Sequence, residues 1–121
     1  MDSWFTLAGG IAVFWTGVHI FLGTRDIANP LLASDLKPTV KYVNYYCWHL
    51  VSISIAVMAL LFLWPGIGGG PKELALVGTV LAAGFSIWGI VLAPRAGVSY
   101  KVVPQGWFFL PIAALGIFGL F

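Results

Sequence analysis

The amino-acid sequence predicts an all-α integral membrane protein. Four transmembrane helices are expected in an up-down-up-down bundle, with both termini on the non-cytoplasmic side. Three observations carry that expectation. The 121 residues are 60% hydrophobic and 8% charged, against roughly 25% charged in soluble domains, so a water-soluble fold of this length would expose much of its apolar surface. Apolar stretches long enough to cross a bilayer recur along the chain. Basic residues fall almost wholly into alternate loops.

A helix needs about 20 apolar residues to cross the hydrocarbon core, because each residue rises only ~1.5 Å. Trp4–Gly23, Tyr45–Trp64 and Leu74–Ala93 meet that length without a charge. Gly106–Phe121 is shorter at 16 residues. It would reach about 24 Å and therefore cross with little tilt, or lean on bilayer thinning and on neighbouring helices. One domain, 1–121, with spans at about 4–23, 43–64, 73–93 and 105–121, accounts for the chain. No alternating ten-residue segments of a transmembrane barrel occur. The first span lacks a basic n-region and a small-residue cleavage site, so it is expected to stay on the chain as a helix.

Prolines and glycines punctuate these spans. Asn29-Pro30 reads as an N-cap and first-turn proline, predicting a short interfacial helix over Pro30–Leu36. Pro38 opens the second helix and Pro65-Gly66 ends it. Gly68-Gly69-Gly70 forms a hairpin before Pro71 starts the third helix. Pro94 stops that helix, Pro104 starts the fourth, and Pro111 kinks it.

Orientation follows from the basic residues. Arg25, Lys37, Lys41, Arg95 and Lys101 fall in the first and third loops, whereas the opposite side holds only Lys72. The first and third loops are therefore expected in the cytoplasm. Trp4, Trp64, Tyr42, Tyr45, Tyr46, Tyr100 and Trp107 then fall near the two interfaces, where amphipathic rings settle. Lys41-Tyr42 before Trp48 echoes Tyr100-Lys101 before Trp107. Duplication of a helical hairpin and ordinary interfacial placement would both give that echo.

Several functions are excluded early. A net charge of +2 is too small for a nucleic-acid footprint. The single cysteine, Cys47, rules out a disulfide framework and dithiol chemistry, and reads as a small buried hydrophobe. Asp2, Asp26, Asp35 and Glu73 all fall in loops or termini, so a proton-coupled exporter lacks its intramembrane carboxylate. Ser52 lies three residues from His49 with no orienting carboxylate, a poor nucleophile.

The remaining polar residues gather toward the cytoplasmic end, and His19 and His49 stand out. In antiparallel consecutive helices both imidazoles lie at similar depth, about 6 Å below the interface. Facing each other they would ligate one haem b iron axially. They would equally line a quinone or other headgroup pocket, or act as packing glue by bonding a neighbouring hydroxyl or carbonyl. The expectation is a shallow polar pocket between helices one and two. It would contain His19 and His49, with Arg25, Asp26, Asn29 and Tyr45 at its rim. Arg25-Asp26 itself reads as a local interfacial ion pair. Small residues at four-residue spacing (Gly9, Val13, Gly17; Gly78, Ala82, Ser86) and Gly116 and Gly119 mark close helix contacts.

Two functions remain. The first is a non-catalytic accessory or interaction subunit of a membrane assembly, with other subunits or a second copy as partners in the bilayer. The second is a ligand-binding or redox protein, carrying haem b or a quinone at His19 and His49. Either would be multi-pass, in a membrane such as a bacterial inner membrane.

Overall fold

The structure, a computed structural model, describes residues 1–121. It is a helical bundle of four helices: α1 (Ser3–Leu32), α2 (Pro38–Ile67), α3 (Lys72–Ala96) and α4 (Gln105–Leu120). The first three are long and apolar enough to cross a membrane, and α4 is a shorter apolar helix.

Asp2 starts α1 by accepting from the Trp4 and Phe5 amides at 3.0 and 3.2 Å, the N-cap role of a short carboxylate. The helix then runs past Gly23, through a ten-residue π-helical stretch, His19–Ala28. The separate helix expected over Pro30–Leu36 does not form; Asn29-Pro30-Leu31-Leu32 continues α1. Ala28 and Asn29 both keep right-handed helical dihedrals, so no break precedes the proline. A proline inside a helix lacks an N–H and crowds the carbonyl four residues back. Here the Asn29 amide already bonds Thr24, five residues back. The register has shifted before Pro30 arrives.

Pro65 and Pro94 likewise do not end their helices. Both lie inside, with α2 reaching Ile67 and α3 reaching Ala96. Glycine terminates instead. Gly97, at φ +68°, takes the left-handed conformation that a side chain disfavours. Its amide bonds Pro94 and that of Val98 bonds Ala93, a Schellman closure. Pro111 sits within α4, and Pro104 caps its start.

Helices α1 and α2 pack as one hairpin, α3 and α4 as another, and α1–α4 and α2–α3 contacts join the two. Glycine sets the close approaches. A Cβ on Gly66 would meet the Thr6 backbone at 2.7 Å, where the Asp2 amide also bonds the Gly66 carbonyl at 2.9 Å. Gly9 accepts Leu63 and Gly89 meets Gly106. Of the small residues read from the sequence, Gly9, Gly78, Ala82, Ser86, Gly116 and Gly119 are buried, but Val13 is exposed and Gly17 faces open space.

At the end carrying both termini, Phe5 and Phe62 are fully buried and fill the space between hairpins. Phe62 lies on Gly78 and Gly116, and Phe5 on Gly119. Lys72 Nζ donates to the Gly119 carbonyl at 3.3 Å and sits 5.9 Å from the Phe5 ring centre. A cation there complements the exposed carbonyls that end α4.

Candidate functional site

Toward the opposite end no glycine contact joins the two hairpins. Gly23 meets Trp48 within the first hairpin, and Gly89 meets Gly106 within the second. Between them lies a cavity of about 510 Å³ with walls from all four helices. That is a usual volume for a small-molecule site, roughly 300–1,000 Å³.

Aromatic side chains build the walls by pairing with each other. Trp15 of α1 stacks on Phe108 of α4, with centroids 4.1 Å apart and planes at 9°. His19 of α1 stacks on Trp48 of α2 at 4.0 Å and 17°. Phe85 of α3 meets Phe109 of α4 edge-on at 5.1 Å. The Trp15–Phe108 stack bridges the two hairpins at one wall, while His19–Trp48 lies within the first hairpin and Phe85–Phe109 within the second.

The π-helical stretch supplies much of the first wall: His19, Leu22, Gly23, Asp26 and Ile27. Such stretches are rare beyond a single turn and recur at functional sites. Gly23 is needed where it stands, because a Cβ would press into the Trp48 ring at 2.7 Å. The indole can therefore lie close to α1 with the His19 imidazole on its face.

His19 also bridges the two helices. Its Nε2 donates to the Trp48 carbonyl oxygen across 3.3 Å. The hydroxyls nearby do not take part in such bridging. Thr16 bonds Ala12 and Ser52 bonds Trp48, each within its own helix, the usual habit of a helical hydroxyl.

Of the six residues expected at the pocket, the cavity takes His19 and Asp26. His49 is exposed and lies outside it, edge-on to Tyr45 at 4.6 Å. Tyr45, Arg25 and the exposed Asn29 also lie outside its lining. The two imidazoles are therefore not placed across one space, as axial ligation of a haem iron by both would need. Arg25 and Asp26 form a two-pronged ion pair, Nε to Oδ1 at 2.6 Å and Nη2 to Oδ2 at 3.0 Å. Both side chains are exposed, so the pair sits at the cavity's edge.

The sequence reading missed Trp15, Trp48, Trp88, Phe108 and Gly23 as site residues. Trp15, His19 and Gly23 recur at four-residue spacing, which was a usable signal for one face of α1. Trp48, Val51 and Ile55 mark the cavity face of α2, one residue away from the face carrying His49. Compared with models of protein families, with curated proteins and with solved structures, the chain matches none.

Proposed function

We propose that this chain is a non-catalytic, four-span membrane protein that holds an apolar molecule drawn from the bilayer, as a ligand-carrying accessory subunit. The spans alternate up and down, the loops 33–37 and 97–104 lie in the cytoplasm, and both termini lie outside. The five-to-one bias of basic residues supports that orientation. A bacterial inner membrane fits the small multi-pass architecture.

The cavity is the observation that carries the ligand reading. Its walls are mostly apolar side chains from all four helices, which suits an apolar occupant of small-molecule size. Leu22 and Trp88, 48% and 60% exposed, belong both to its lining and to the outer surface. Part of the lining thus reaches the outer surface, where an apolar occupant would enter from lipid.

The subunit half of the proposal draws on α1. Gly10 and Gly17 have nothing within 4 Å of a notional Cβ, and with the exposed Val13 and Phe14 between them they make an unpartnered face of α1 on which another helix can pack.

Native mass spectrometry after extraction in mild detergent tests the ligand reading. The expected result is a stoichiometric apolar adduct that is lost when Trp15→Ala and Trp48→Ala enlarge the site. Protein that emerges only at its bare mass, while still folded, would overturn it.

A further inference from the structure

We infer that the cavity takes the ring of a lipid-soluble aromatic alcohol of the hydroquinone class, with Nδ1 of His19 accepting its O–H. The inference deepens the ligand reading above and rests on it.

The surroundings of His19 set the chemistry. Nε2 lies 3.3 Å from the Trp48 carbonyl oxygen, which also accepts from the Ser52 hydroxyl at 3.1 Å. A carbonyl oxygen only accepts, so Nε2 carries the proton and the neutral ring keeps Nδ1 as an acceptor. Nδ1 has no partner within the protein, and Ser86 Oγ alone is a sealed, unpaired polar side-chain atom. His19 belongs to the cavity wall, and a molecule that pairs with its Nδ1 must donate. Asp26, the other ionisable side chain in the wall, is likewise an acceptor when ionised. A hydroquinone hydroxyl donates to Nδ1 and still accepts from the Gln105 amide in the same wall, whereas the oxidised quinone offers only carbonyl acceptors and leaves Nδ1 bare.

Shape points the same way. All four rings of the two near-parallel pairs, Trp15 on Phe108 and His19 on Trp48, line the space. A planar ring packs on such faces better than a flexible acyl chain does. Leu22 and Trp88 of the lining reach the outer surface, so an attached apolar tail would extend from there into the bilayer.

Calorimetric titration of the micellar protein under anaerobic conditions tests this with three probes: decylubiquinol, decylubiquinone and dodecanol. Decylubiquinol should bind one per chain, and about tenfold more tightly than decylubiquinone, the effect of one hydrogen bond. His19→Phe keeps a flat ring on Trp48 and should abolish that preference, while His49→Gln should retain it. Equal affinity for both redox states, or a preference unchanged in His19→Phe, overturns the inference. So does dodecanol binding as tightly as the quinol, because the ring would then be irrelevant. If no probe binds but the native adduct persists, this inference fails and the ligand reading stands; if both are missing, both fail.

Discussion

Gly89 and Gly106 meet backbone to backbone: a Cβ on Gly89 would lie 2.6 Å from both the Cα and the N of Gly106. No side chain is present at that crossing to swing aside. Gly106→Ala should therefore force α3 and α4 apart, an overpacking cost of about 1–3 kcal/mol. Gly10→Ala is the control, because nothing lies within 4 Å there and alanine favours a helix by roughly 0.5–1 kcal/mol over glycine. Unfolding in mixed micelles should show Gly106→Ala destabilised and Gly10→Ala unharmed. Equal effects would mean the contact carries no packing constraint.

Phe62 joins the hairpins where no cavity exists. It is fully buried, and its ring lies on Gly78 of α3 and Gly116 of α4. Phe62→Ala should cost about 3–5 kcal/mol, as for other large-to-small changes in packed cores. Phe14→Ala removes a ring that is mostly exposed and should leave the same unfolding curve nearly unmoved. A Phe62 variant as stable as the native chain would show that the hairpins are held elsewhere.

Sequence reading succeeded where single residues carry strong signals and failed where faces had to be chosen. Long uncharged stretches announced apolar helices, and Pro38, Pro71 and Pro104 marked helix starts correctly. Pro65 and Pro94 misled, because prolines are tolerated inside membrane helices, and Gly68 and Gly97 set the ends. The π-helical stretch left no trace, since nothing in the order His19–Ala28 distinguishes five-residue from four-residue bonding. The face of α2 was lost for a related reason. A helix that is apolar all round has no stripe to orient it, so His49 and Trp48, adjacent in sequence and about 100° apart, could not be told apart as inward or outward. His19 was picked out as a histidine at membrane depth, and the Trp15–His19–Gly23 spacing that marks its face went unused.

The orientation proposed for the bundle makes a separate prediction. A reporter active only in the cytoplasm should be silent when fused after Phe121 and active when inserted near Asp35. Lys37 and Arg25 flank that loop, and Lys72 is the only basic residue toward the other end. Charge reversal tests the cause: Lys37→Glu with Lys41→Glu should weaken the bias, because the basic residues rather than the spans set orientation. The opposite reporter pattern in the native chain would invert the proposed topology.

His19→Phe and Trp48→Ala should differ in kind, although the two side chains touch. Phenylalanine keeps a flat ring against the indole, so only the bond from Nε2 to the Trp48 carbonyl is lost. That oxygen still accepts from the Ser52 hydroxyl and is not left bare. The cost should therefore be about 1 kcal/mol, the net contribution of one ordinary hydrogen bond. Trp48→Ala removes the indole that both His19 and Gly23 lie against, and it should be the more destabilising change by a clear margin. A double-mutant cycle then separates stacking from hydrogen bonding, because residues in contact are expected to couple by roughly 0.5–3 kcal/mol. Should His19→Phe prove as damaging as Trp48→Ala, the hydrogen bond and not the aromatic stack would be what joins α1 to α2 at this end.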